Sequence, residues 1–260
     1  MPFRQMLSPQ TRAELFDPPP DPAAIVRHYT FSTEDLALIR RRRRAANRLG
    51  FAVHLAYLRF LGRAVGADEN PPECMLGFIA AQIGCDPSAF AAYARRDETR
   101  WEHLSELQTY LGVRPFRRAD YRVAAGVALA EATGTDRGDA VVTAIVAHLR
   151  ERRILLPAPV TLEKIGLAAR ARARKRAYRH LAEGLNEETI AGLEALLVVC
   201  DGQDRTPLVW LRDWPEAPTQ KNLAEIVERL QAVRKLGVAP DHEQRIHRAR
   251  YVAMARERRF

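Results

Sequence analysis

Residues 32–62 read STEDLALIRRRRRAANRLGFAVHLAYLRFLG, and their spacing decides the fold class. Ser32 is suited to cap a helix, because its hydroxyl can accept from a first-turn N–H, and Glu34 and Asp35 follow where the positive helix end favours acids. Leu36 and Ile39 begin an apolar face that runs into five successive arginines, Arg40 to Arg44. A second helix is predicted from about Ala45 to Leu61, burying Leu49, Val53, Ala56, Tyr57 and Phe60. The arginines therefore stand at a junction between two helices.

Outward from this junction the same three- and four-residue apolar spacing recurs, with no alternating run bounded by hairpin turns, so the fold is read as all-α. Upstream, a helix from Ser8 to Phe16 precedes the Pro18-Pro19-Pro20 break and a turn of helix at Ala23 to Arg27. Downstream, Gly62 to Pro72 reads as a linker. Helices are then predicted over the segment from Pro72 to Gly84, Pro87 to Arg95, Glu98 to Leu111, Arg118 to Ala132 and onward to Arg152, with Asp86 and Asp97 as caps. After Pro157-Ala158-Pro159 come helices at Thr161 to Ala182, Glu187 to Val199, Thr219 to Leu236 and Asp241 to Arg258. This gives two or three small helical bundles with helix-turn-helix-like modules: residues 1–66, residues 67–134, and a helical region 135–260.

Composition narrows the function classes. The chain holds 260 residues with 41 Lys+Arg against 32 Asp+Glu, a formal charge of +9, which favours a polyanionic partner. Charge is also unevenly placed. Residues 161 to 180 carry seven basic groups against one acid, and residues 183 to 230 carry ten acids against four basic groups. Cys74, Cys85 and Cys200 are too far apart for a paired metal-ligand spacing and too few for a disulfide scaffold, which fits a reducing cytoplasm. No run of about 18 apolar residues occurs, so no membrane span is expected.

Three basic clusters are candidates for binding. Arg40, Arg41, Arg42, Arg43 and Arg44, with Asn47 and Arg48 in the next helical turn, point all round a helix and outnumber the nearby acids Glu34 and Asp35. A phosphate backbone would neutralise several of them, and a recognition helix commonly meets base edges at its first turn; a solvated basic helix end is the plainer alternative. Arg172, Lys175, Arg176 and Arg179 fall on one stripe of the predicted helix, with Leu167, Ala171, Tyr178 and Leu181 expected on its core side. That stripe suits DNA, an acidic protein surface or the chain's own acidic segment. The third cluster joins Arg95, Arg96, Arg100, Arg114, Arg117, Arg118 and Arg122 with His103; five nearby acids could neutralise much of it. Arg245, Arg248, Arg250, Arg256, Arg258 and Arg259 form a basic tail. No catalytic, cofactor or metal site is expected, since the histidines are scattered and no phosphate-cradling glycine loop appears.

The ordered run His28-Tyr29-Thr30-Phe31-Ser32, Asn47-Arg48-Leu49-Gly50-Phe51-Ala52-Val53 and Tyr57-Leu58-Arg59, then Phe78-Ile79-Ala80, His103-Leu104, Arg114-Pro115-Phe116, Ile154-Leu155-Leu156-Pro157 and Ala177-Tyr178-Arg179, resembles the start of Tn-three family transposases. The resemblance covers essentially the whole chain. Two departures stand out: His54 occupies a position where the family pattern has glutamine, and Phe60-Leu61 replaces an aromatic-proline pair before Gly62. The resemblance implies a set of helical modules that bind double-stranded DNA at transposon terminal inverted repeats. It places the acidic catalytic triad in a separate ribonuclease-H-like domain, so no catalytic residue carries over. Bacterial, cytoplasmic and nucleoid-associated placement follows, with the catalytic part of a transposase as a further partner. The alternative function is an assembly module whose basic faces dock acidic protein.

Overall fold

The computed structural model describes residues 6–66, 69–93, 97–199, 202, 204–213, 219–239 and 241–257. Among them no strand forms; helices are connected by short turns, as the all-α reading expects. The chain divides into two compact units, Met1–Arg172 and Ala173–Phe260.

In the first unit, α1 (Pro9–Phe16) and α2 (Pro22–Tyr29) start on Ser8 and Asp21, whose side chains accept from first-turn N–H groups. α3 (Thr33–Arg40) starts on a reciprocal cap: the Asp35 N–H donates to the Ser32 hydroxyl while the Asp35 carboxylate accepts from the Ser32 N–H. After Arg41 to Arg44 the chain enters α4 (Ala45–Ala56), which continues as a turn of wider π-helix over Tyr57–Leu61 and stops at Gly62 in the left-handed conformation, φ 73°.

From Leu49 onward every residue of α4 is buried, which makes it the axle of the core rather than a surface helix. α3, α5 (Glu73–Ile83), the 3₁₀ segment Pro87–Ala92 and α6 (Asp97–Leu111) pack around it. One buried cluster runs from Ile25 through Leu107 and takes in Leu155, so the core crosses residue 66 without interruption. Gly50 is fixed by this packing: a β-carbon there would overlap the ring of Tyr93. Gly50→Ala is expected to cost roughly 1–3 kcal/mol through overpacking, read as a lowered urea midpoint at unchanged slope.

α7 (Arg118–Gly134) and α8 (Gly138–Glu151) form a helical hairpin in which Ala124, Ala128 and Ala132 bury a row four residues apart while α8 buries Val141, Val142, Ile145, Val146 and Leu149. α9 (Pro159–Ala182) corrects one sequence expectation. Its buried row is Leu162, Ile165, Ala169, Ala173 and Ala177, whereas Leu167 and Leu181 are half-buried and Ala171 and Tyr178 exposed. Ranking by side-chain size chose the wrong face. Alanine buries with no loss of rotamer freedom, so an alanine row serves as a packing face as well as a leucine row does.

The second unit holds α10 (Glu187–Ala195), α11 (Pro207–Arg212), α12 (Gln220–Lys235), the 3₁₀ turn His242–Arg245 and α13 (Arg248–Glu257). α11, capped by Thr206, was not foreseen, and the last predicted helix is divided in two. Among the described residues Ala173 and Ala177 are the unit's buried apolar side chains; Leu197, Val198, Leu223 and Leu230 are exposed. With so little apolar burial its helices lack the tertiary support that stabilises short helices in water. Amide hydrogens of α10 and α12 are expected to exchange at least roughly 10²-fold faster than those of α4, a contrast that exchange mass spectrometry reads directly.

Candidate nucleic-acid interface

The α3–α4 junction positions its arginines unequally. Arg40, Arg41, Arg43 and Arg44 are exposed, and among the described residues none of them makes an ion pair. Arg42 is turned inward. Its Nη2 lies 2.5 Å from Glu106 Oε1 on α6, and its guanidinium sits 4.3 Å above the Phe51 ring centroid. Arg42 therefore ties the junction to α4 and α6 and leaves its four neighbours to solvent.

Asn47 and Arg48 are half-buried in the first turn of α4, the part of that helix which reaches the surface. Arg44 occupies the N-cap position without a side-chain bond to the first-turn N–H groups. The positive end of the helix dipole and four unpaired guanidinium groups thus share one turn, an arrangement that attracts phosphate. Because α4 is buried beyond Leu49, only this end is presented; a full-length groove helix is not available here.

The third cluster separates on inspection. His103, expected at the interface, lies in the interior: it is 6% exposed, its Nδ1 is 3.0 Å from the Tyr93 hydroxyl, and its ring meets Phe51 edge-on. The sequence gives no sign of this, because His103 becomes internal only when Tyr93 and Phe51 close around it. Arg100 spends a guanidinium N–H on the Val65 carbonyl. Arg114 forks onto Asp120 at 2.7 Å and holds that carboxyl down to about 2. Arg117 and Arg118 remain exposed at the start of α7. Arg95, Arg96, Arg258, Arg259, Cys200 and the side chain of Arg256 lie outside the described residues.

On α9, Arg172, Lys175, Arg176 and Arg179 are all exposed, to one side of the alanine row. Arg176 contacts His180 at 3.5 Å, and Arg172, Lys175 and Arg179 make no ion pair among the described residues. Arg170, just before the stripe, forks onto Asp136.

Two buried histidines lie behind the junction. Burial, then the Arg42 charge, pulls His103 from 6.5 down to about 4; burial, then the charges of Arg100 and His103, pulls His54 down to about 3. His54 Nδ1 has no partner among the described residues, at the position where the family pattern carries glutamine. Both rings are neutral when folded and take up protons more readily when unfolded. Their contribution is complete above about pH 6.5 and is lost as the pH falls towards 4, by roughly 2 kcal/mol per histidine at pH 5. A thermal midpoint clearly lower at pH 5 than at pH 7.5, and restored in part by His103→Gln, is the expected result.

Among the described residues no group of three or more His, Cys, Asp or Glu could hold a metal ion, and no helix is long and apolar enough to cross a membrane. A protein-family model described as a domain of unknown function (DUF4158) matches residues 6–169. The chain belongs to the DUF4158 family. The DUF4158 match takes in α1 to α8, the arginine junction and the start of α9. Over 257 residues, 99% of this chain, the sequence is 40% identical to the transposase for transposon Tn3926 of Escherichia coli. It is 38% identical to the transposase for transposon Tn501 of Pseudomonas aeruginosa over the same share, and 31% identical to that for Tn1546 of Enterococcus faecium over 97%. The chain spans 26% of the length of each of these relatives. With the DUF4158 match, they support the resemblance to the N-terminal region of Tn-three family transposases.

Proposed function

We propose that this chain binds double-stranded DNA, recognising the terminal inverted repeats of a transposon as the non-catalytic part of a transposase. The observation that carries the reading is the α3–α4 junction: Arg40, Arg41, Arg43 and Arg44 are exposed and unpaired around the open end of α4 while Arg42 anchors the turn from behind. Guanidinium groups carried on a held turn and without acidic partners bind phosphate through paired N–H donors. Asn47 and Arg48, one turn further along, are the groups suited to base edges. Arg117 and Arg118 on α7 and the α9 stripe are additional phosphate contacts. The relatives are transposases, which supports duplex ends as the target and the catalytic part of a transposase as the partner. Such a protein works at the bacterial nucleoid.

Fluorescence-anisotropy titration of an inverted-repeat duplex and a scrambled duplex, across a salt series, tests this. The expected result is binding that weakens steeply with salt and favours the repeat by roughly 10³-fold or more. Equal binding to both duplexes removes the sequence-reading part, and binding to neither removes the DNA reading.

A further inference from the structure

A half-open cavity of about 250 Å³ opens in the first unit where three connectors meet. The Gly62 carbonyl accepts from the Leu156 N–H, the Arg114 N–H donates to the Arg153 carbonyl, and the Leu155 N–H donates back to the Arg114 carbonyl. The floor is apolar, with Leu58, Phe60 and Leu155, and Arg59, Arg150 and Arg153 stand round it. Arg59 is neutralised by a two-pronged pair with Asp35. The other two guanidinium groups have no carboxylate: Arg150 donates through Nη2 to the main-chain carbonyls of Leu15 and Leu61, and Arg153 pairs with none of the described acids.

Arg153 is also the described non-glycine residue with a positive φ, 55°, in the left-handed region that arginine enters at a cost. The twist closes the end of α8, where the Ile154 N–H reaches back to the Leu149 carbonyl, and it leaves Arg153 lining the cavity.

We propose that this cavity binds a nucleoside phosphate, its phosphate on Arg150 and Arg153 and its base on the apolar floor. Neither guanidinium has a counter-ion: Arg153 can fork onto a phosphate dianion, and Arg150, whose Nη2 hydrogens are taken by the two carbonyls, adds its charge and its Nη1 donors. The cavity of about 250 Å³ presents apolar lining beside the two arginines that an inorganic ion would leave uncovered. The apolar floor asks for a flat, weakly polar moiety, which a nucleobase supplies. The source is either a free mononucleotide or an unpaired terminal nucleotide of a DNA strand, and the site is separate from the duplex-binding junction.

Calorimetry on the whole chain with a deoxynucleoside monophosphate, the matching nucleoside, inorganic phosphate and an acidic aromatic dipeptide tests the assignment. The mononucleotide is expected to bind, inorganic phosphate at least roughly tenfold more weakly, and the nucleoside and dipeptide below detection. Arg153→Gly is expected to abolish binding while leaving the thermal midpoint unchanged or raised, because glycine relieves the positive φ. Arg150→Gln is expected to weaken binding tenfold or more. A 5′-phosphorylated duplex with one unpaired terminal nucleotide that competes with the mononucleotide assigns the strand end as source; failure to compete assigns the free nucleotide. Overturning results are phosphate binding as tightly as the mononucleotide, the dipeptide binding in its place, unimpaired binding by Arg153→Gly, or no binding at all. Loss of duplex affinity in junction variants that still bind the mononucleotide separates this site from the proposed duplex function.

Discussion

Asp35→Ala is expected to be the most destabilising single substitution at the junction, costing about 4 kcal/mol. The Asp35 carboxylate is fully buried and accepts four bonds: two from the Arg59 guanidinium at 2.6 and 2.7 Å, one from the Tyr110 hydroxyl at 2.8 Å and one from the Ser32 N–H at 2.9 Å. Burial alone would raise its pKa, but these donors outweigh burial and hold the carboxyl far below the ordinary range. Removing it leaves Arg59 without its anion and Tyr110 without its acceptor, and it undoes the cap of α3. Breaking such a pair costs roughly 3 kcal/mol, the low end of the buried range because Arg59 keeps contact with solvent, and the cap adds about 1 kcal/mol. For a unit of this size the thermal midpoint should fall by roughly 10 °C. A fall of under about 2 °C would show that α3 does not depend on this network.

The second large effect concerns binding. Replacing Arg40, Arg41, Arg43 and Arg44 together with glutamine is expected to leave the fold intact, since all four side chains are exposed. At roughly 1 kcal/mol per phosphate contact, duplex affinity should fall about 10³-fold, and the salt slope should lessen by roughly 3 to 4 units. Arg42→Gln is the internal contrast. It removes the Glu106 pair and the Phe51 contact, so it should lower stability by about 1–2 kcal/mol while changing the salt slope by less than about one unit. An unchanged slope in the fourfold variant would move the phosphate contacts elsewhere, to α7 or the α9 stripe.

Local signals were legible in the sequence where chemistry acts over a few residues. Ser32 and Asp35 read as a helix start and form one, Gly62 opens the predicted linker and Gly84 closes the next predicted helix, both with positive φ, and the arginine run reads as a junction. What the sequence hid depends on distant partners. The five arginines look equivalent until Glu106 and Phe51 select Arg42, and His103 looks like a surface group until Tyr93 and Phe51 enclose it. α4 was expected to bury one face and instead is buried on all sides from Leu49 onward, and at Gly50 the missing side chain lets the Tyr93 ring close on it. The cavity was invisible for the same reason: Arg59 lies far along the chain from Arg150 and Arg153, and nothing local marks Arg153 as left-handed.

The wider chain also bears on how binding is distributed. The first unit has a continuous core on which the junction is held rigid, whereas the second unit exposes most of its apolar side chains. Affinity and register should therefore be set chiefly by the first unit, with the α9 stripe contributing charge.

Site-specific photo-cross-linking to an inverted-repeat duplex tests the central claim most directly, with a cross-linking side chain placed in turn at positions 41, 43, 47, 117 and 175. Strong, repeat-dependent cross-links at 41, 43 and 47, lost when salt is raised, are the predicted result. Cross-links confined to 117 and 175, with none from the α3–α4 junction, would contradict it.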